Sequence, residues 1–160
     1  MKKAAGFNSC LQPMPKIIVS CRGKNGKDNA LAVAYCCNCS FDPPMIMVGI
    51  VPSRYSYGLI KESGCFVVNL VSRENSDMFH YMGSHSGRDE NKMAAVSVKE
   101  AVKINAPLLD ACPVNIECSV VDSIKTGSHE MFVGKVEYVH AESGLVDETG
   151  NIDFGSVPFL

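Results

Sequence analysis

Apolar residues in this chain fall into short runs broken by polar, glycine-rich or proline-rich turns, and most runs have the length and spacing of strands. Ile17-Ile18-Val19-Ser20-Cys21 predicts a short strand that ends in the turn-rich segment Arg22 to Asn29. Ala30 to Cys37 and Met45 to Val51 are nearly continuously apolar, as expected of strands covered on both faces. Cys65 to Val71 predicts a third such strand. Val114 to Ile124 alternates, with Val114, Ile116, Cys118 and Val120 on one face. Met131 to Val139 alternates more strictly, and Lys125 to Glu130 reads as the hairpin-like connection between the two. Gly144-Leu145-Val146 and Ile152-Asp153-Phe154 predict a last strand pair.

Helical spacing is confined to the middle of the chain. Tyr55 to Ser63 turns Leu59 and Ile60 inward and stops at Gly64. Ser76 to Met82 groups Met78, Phe79 and Met82 and stops at Gly83, and Lys92 to Ala95 adds a helical turn. Residues 1–14, with Pro13 just before their end, read as a loosely structured arm. Roughly seven strands against two or three short helices argue against a regularly alternating doubly wound sheet. A mainly β fold, a small barrel with helices inserted between strands, is the better class. At 160 residues the whole chain, 1–160, is expected to form one domain.

Composition narrows the functional classes. A formal net charge of −2 gives no electrostatic case for nucleic acid or an anionic membrane as the main partner. No run approaches the roughly 18 uninterrupted apolar residues of a spanning helix. The start of the chain, broken by Gly6, Asn8, Gln12 and two prolines, does not read as a signal peptide, so a cytoplasmic location is the default. Eight cysteines are many for that compartment. On a strand, Cys37 and Cys39 would share one face and Cys36 the other, a poor start for a tetrahedral metal site. Small buried thiols and no metal are expected.

The segment with most chemical content is Asp42 to Gly64. A buried strand runs into Pro52 and then into Ser53-Arg54-Tyr55-Ser56 at a helix start. Free N–H groups at a helix N-terminus and the helix dipole both favour an anion, and arginine adds a planar fork of donors suited to phosphate oxygens. The alternative is an ordinary helix cap beside a solvated arginine.

Several segments, in order and spacing, carry a family resemblance. They are Asn29-Ala30-Leu31-Ala32-Val33-Ala34, Ser40-Phe41-Asp42-Pro43-Pro44, Val51-Pro52-Ser53-Arg54-Tyr55-Ser56, Leu59 to Asn69, Ser86-Gly87-Arg88-Asp89 with Lys92, and Gly127-Ser128-His129-Glu130-Met131-Phe132-Val133-Gly134. Over about residues 14 to 158 the chain resembles the flavin-reductase-like, FMN-binding split-barrel proteins, which include flavoredoxin-like and ferric-reductase-like members.

The resemblance implies a split β-barrel homodimer with non-covalent FMN in a groove at the dimer interface. The FMN would take electrons from NAD(P)H or a redox-protein donor, as a flavin or ferric reductase. A non-enzymatic FMN electron carrier is the near alternative, and a cysteine-based metal-binding or structural protein the distant one. It also implies residue roles. Ser53, Arg54 and Ser56 would hold the FMN phosphate, and Lys92 would reach the phosphate or ribityl chain, with Arg88 and Ser86 on the same loop. The isoalloxazine edge would lie along Cys37, Asn38, Cys39 and Ser40, with Asn29 an additional contact. His129 would lie close to the ring, where it could position it, supply a proton or stabilise charge on the reduced flavin. His80 and His140 receive no chemistry, and His85 stays open. Since Lys92 and Arg54 lie outside the apolar runs, removing either is expected to leave the fold intact.

Overall fold

In a computed structural model of the chain, which describes residues 1–160, the Gly23–Gly26 turn folds Ile17–Arg22 (β1) back along Asp28–Val33 (β2). Ile17 then lies opposite Val33 and Arg22 opposite Asp28. Cys36–Ser40 (β3) and Met45–Ile50 (β4) form a second antiparallel pair. Tyr55–Ser63 (α1) ends at Gly64, whose φ of 71° lets its N–H reach the Ile60 carbonyl at 2.8 Å, a conformation that favours glycine. Cys65–Leu70 (β5) comes next, then Ser76–Ser84 (α2) and a 3₁₀ turn at Lys92–Ala95. Two short strands, Val98–Glu100 (β6) and Pro107–Leu109 (β7), pair with each other. The long hairpin Val114–Lys125 (β8) and Glu130–Ala141 (β9) completes the main sheet.

That sheet has seven strands in the order β2-β1-β5-β8-β9-β4-β3, every pair antiparallel. Its two edges, β2 and β3, are consecutive in the chain and separated only by Ala34 and Tyr35. The link is held by a bond from the Gly49 N–H to the Tyr35 carbonyl at 2.8 Å. So short a link brings the two edges together and curls the sheet into a barrel split along one side. Alternate residues of β1 show the layers: Ile17, Val19 and Cys21 face the interior, with Val48, Ile50, Phe66, Phe132 and the α1 residues Leu59 and Ile60. Ile18 faces outward and packs with Met82 of α2, Met93 and Leu109. A third cluster, Cys65, Val67, Ala106 and Leu108, lies beneath β6 and β7.

Two carboxylates are fully buried and fully bonded. Glu117 accepts the N–H groups of Val102 and Lys103 at 2.7 Å each and Ile104 at 3.2 Å, and pairs with His140 Nε2 at 2.6 Å. Glu130 accepts from Ser123 Oγ at 2.6 Å, Tyr57 Oη at 2.5 Å and Lys61 Nζ at 3.4 Å. Buried polar groups are tolerated when each is bonded, and no buried side-chain nitrogen or oxygen lacks a partner.

The mainly β split barrel agrees with the sequence, and some details do not. The run Ala30 to Cys37 breaks at the exposed Ala34 and Tyr35, and β3 beyond it is largely exposed because an edge strand has one neighbour. α2 continues past Gly83, whose missing side chain lets the helix lie against Ala32. The last strand pair reduces to a single bridge, Val146 to Ile152, because Asp147 gathers the backbone and side chains of Thr149 and Asn151 into a tight turn. The three-residue strands β6 and β7 are too short to register in the hydrophobic pattern. Of the cysteines, Cys21, Cys65, Cys112 and Cys118 are buried, Cys36 is half-buried, and Cys10, Cys37 and Cys39 are exposed, against the expectation of buried thiols throughout. No helix is long and apolar enough to cross a membrane.

The bonds from Ser123 and then Tyr57 hold the Glu130 carboxyl down at about 2. Burial pushes Glu117 up, but His140 and the backbone N–H groups outweigh it and leave that carboxyl below the ordinary range. A carboxyl depressed in the folded state stabilises it above the unfolded value and ceases to do so as pH falls through the folded one. Urea midpoints are therefore expected to be flat from neutral pH to about pH 4 and to fall steeply towards about pH 2. In Glu130→Gln the midpoint is lower at neutral pH and the acid decline shallower; an unchanged decline contradicts this role for Glu130.

Candidate functional site

β4 leaves the sheet at Ile50, and the turn Val51–Ser53 delivers Arg54 as the N-cap of α1 in extended conformation. No side chain caps this helix, so the N–H groups of Tyr55 and Ser56 have neither an intrahelical nor a capping partner, while that of Tyr57 donates to the Arg54 carbonyl at 3.1 Å. This helix start borders a cavity of about 120 Å³ lined by Ser53, Arg54, Ser56, Ser86, Arg88 and Lys92, together with Asn29, Leu31 and Ala32 of β2. The basic side chains of Arg54, Arg88 and Lys92 converge there and no carboxylate lines the cavity. The sequence-predicted anion set is thus assembled in one place from two separate segments, 53–56 and 86–92.

Each side chain has a traceable hold. Ser56 is 1% exposed, and its hydroxyl accepts from Asn29 Nδ2 at 2.8 Å. Arg88 Nη1 donates to the Ser53 carbonyl at 2.6 Å, with its guanidinium 5.9 Å from the Tyr55 ring centre. Gly87 lies against Asn29 and Tyr55: a Cβ there would run into Asn29 Oδ1 and the Tyr55 ring, so only glycine permits this approach of the loop to β2. Lys92 is 2% exposed rather than a solvated loop lysine. It donates to the carbonyls of Met82 at 3.0 Å and His85 at 2.9 Å, using two of its three protons on the C-terminal end of α2. Burial first, and then the Arg54 charge, lower its pKa. An anion between Arg54 and Lys92 would relieve that repulsion.

Sharing Leu31, Ala32 and Arg54 with this cavity is a second, mostly apolar slot. It runs along the split of the barrel between residues 31–35 and 49–51 and reaches His129. The His129 ring stands edge-on to Tyr35 at 4.8 Å, and Ser128 Oγ is 2.7 Å from its Nδ1. Basic and hydroxyl side chains thus line one void and apolar side chains its neighbour.

Asn29, Ser53, Arg54, Ser56, Ser86, Arg88 and Lys92 therefore come together, and His129 lies at the far end of the same groove. Cys37 to Ser40 do not join them: Asn38, Cys39 and Ser40 line a separate depression with Phe41 and Pro44. His85 enters the cavity wall, stacked on Tyr81 at 4.3 Å. Sequence reasoning misses Tyr35, Tyr55 and Gly87 as site residues. The only local signal is the Ser86-Gly87-Arg88 spacing, since the other two read as strand and helix residues.

Comparison with known proteins agrees with this geometry. Residues 11–156 match the family described as flavin reductase like domain. The chain is 35% identical over 130 residues to an uncharacterized protein of Archaeoglobus fulgidus, covering 80% of this chain and 73% of that protein. It is 27% identical over 127 residues to the FMN reductase (NADH) RutF of Pseudomonas syringae, covering 79% and 70%. The crystal structure of flavoredoxin from Methanosarcina acetivorans is similar throughout, with a TM-score of 0.91 and 27% identity over 100% of this chain and 86% of that one. Fold and groove together define a flavin-binding protein of the split-barrel class. The chain belongs to the flavin reductase like family.

Lys92 carries a structural duty that its sequence context hides. Lys92→Met leaves the Met82 and His85 carbonyls without their charged donor, a loss of roughly 1.5–3 kcal/mol per such bond at most. A lower denaturation midpoint with an unchanged denaturant slope is expected; a wild-type midpoint would mean that water replaces the ammonium without loss.

Proposed function

We propose that the chain binds FMN non-covalently, with the phosphate in the cationic cavity and the ring system in the slot at His129, and acts as an NAD(P)H-dependent flavin or ferric reductase. The observation that carries this reading is a cavity lined by Arg54, Arg88 and Lys92 and by no carboxylate, which shares Leu31, Ala32 and Arg54 with a mostly apolar slot. When bound, the flavin supplies the redox chemistry, accepting a hydride or electrons and passing them on.

The protein's own residues bind and orient. Arg54 and the uncapped N–H groups of α1 neutralise the phosphate, and Lys92 adds its remaining proton. Arg88, tethered to the Ser53 carbonyl, closes the cavity from the loop side. Leu31, Ala32 and Val33 offer an apolar wall to the ring, and His129 stands at the slot's end. Two copies are expected to pair. The outer edge of β3 has no strand partner, and Phe41, Val121 and Ile124 are exposed at 96%, 51% and 52%, which favours a second copy covering them and bringing Cys37 to Ser40 against a flavin edge.

Charge-assisted bonds contribute roughly 1.5–3 kcal/mol each. Calorimetry is therefore expected to give FMN an advantage of well over tenfold over riboflavin, and Arg54→Ala to remove most of it without unfolding the chain. Equal binding of the two flavins overturns the phosphate assignment. In a stopped-flow mix with NADH or NADPH the bound flavin should bleach quickly; absence of bleaching with both leaves an electron carrier served by a protein donor. His129→Ala is expected to shift the reduction potential and its pH dependence more than the FMN affinity. Superimposable titrations of wild type and variant remove His129 from the site.

A further inference from the structure

The two ends of the groove sit on different parts of the fold. The anion end belongs to the start of α1, and His129 belongs to the β8–β9 hairpin. The shortest contact that spans them is made by Tyr57, whose Oη donates to Glu130 at 2.5 Å. Tyr57 immediately follows Ser56 of the cavity, and Glu130 immediately follows His129 of the slot. The bond therefore joins the chain one residue from each end of the groove.

Its setting makes the join rigid. Successive strand residues point to opposite faces. Glu130 and Phe132 are each 2% exposed and face inward, while His129 and Met131 lie half-buried on the other face. The carboxylate is thus bolted inside the barrel, and His129 projects from the same stretch of backbone into the split. Ser123 of β8 holds the second carboxylate oxygen at 2.6 Å, and Lys61, one turn along α1 from Tyr57, approaches both oxygens at 3.4 Å. The Tyr57 ring packs on Phe132 with 5.7 Å between centres. Two side chains of α1 and one of β8 hold one carboxylate of β9.

We propose that Tyr57 and Glu130 are positioning residues, whose buried bond fixes the span between the anion cavity and His129. The proposal rests on the flavin reading, because a fixed span matters only to a ligand that reaches both ends. Such a ligand gains from having its second end already in place, whereas a ligand that reaches one end does not.

The test uses Tyr57→Phe, which keeps the ring on Phe132 and removes only the hydroxyl, with Ser123→Ala as the control that removes a bond internal to the hairpin. Hydrogen exchange on the flavin-free chain reads the tie directly. In Tyr57→Phe the hydrogen-bonded amides of residues 57–60 in α1 and those of the 126–130 hairpin should lose protection together, and Ser123→Ala should spare 57–60. Loosening confined to α1 overturns the tie whether or not flavin binds. Binding then reads its use with three probes: FMN, inorganic phosphate and riboflavin. Tyr57→Phe should weaken FMN about tenfold and leave phosphate and riboflavin within about twofold, as expected when only the linkage between two ends is lost. Glu130→Gln, which keeps the side chain's shape and an acceptor oxygen, should give the same selective loss to a smaller degree. An equal loss for all three probes means general damage and overturns the positioning role, as does no loss at all. A wild-type chain that prefers FMN no more than riboflavin defeats the flavin reading instead, and the exchange result still decides the tie.

Discussion

Two residues, Ala34 and Tyr35, connect strands that lie at opposite edges of a seven-stranded sheet. So short a connection can be made only if the sheet curls until its edges nearly meet, and the Gly49-to-Tyr35 bond holds them there. The remaining architecture depends on that closure. The interior fills with alternate residues of each strand, and α1 contributes Leu59 and Ile60 to it. The slot lies where β2 and its link to β3 approach the end of β4, and the start of α1 borders the polar cavity beside it.

Charge is sorted between these regions. The chain as a whole is slightly acidic, yet the cavity at α1 gathers Arg54, Arg88 and Lys92 with no carboxylate in its own wall. The buried carboxylates are elsewhere and already satisfied: Glu117 by a backbone nest and His140, Glu130 by hydroxyls and Lys61. An acid placed in the cavity would neutralise the field that selects an anion. Buried in the sheet and fully bonded, the same residue type serves to fix loops and hairpins. Net charge therefore says little about the ligand, and its local distribution says a great deal.

The strands and α1 are legible in the sequence because periodicity and capping act locally: Leu59, Ile60 and Gly64 lie where the spacing places them. So is the anion end, since Ser53, Arg54 and Ser56 are nearly contiguous and the physics of a helix start needs no distant partner. Tertiary events are less legible. The break at Ala34 and Tyr35 is a consequence of sheet closure, not of composition. Lys92 reads as solvated because the carbonyls it caps, Met82 and His85, come from a helix end seven or more residues away. Glu130 reads as the polar half of a hairpin turn, and only the placement of Tyr57 across the barrel shows that it is buried. Cys37 to Ser40 enter through family resemblance alone, and within one chain Asn38, Cys39 and Ser40 line a depression separate from the groove.

The central claim is that one continuous groove, from the start of α1 to His129, holds a flavin along the split of the barrel. Amide and imidazole NMR shifts during titration of the flavin-free chain with FMN test it most directly. The expected result is simultaneous movement, with a single affinity, of the 54–57 amides, the 86–88 loop, residues 31–35 and the His129 ring, while the β6–β7 hairpin stays still. Shifts restricted to one end of the groove, or centred on β6–β7, would contradict it.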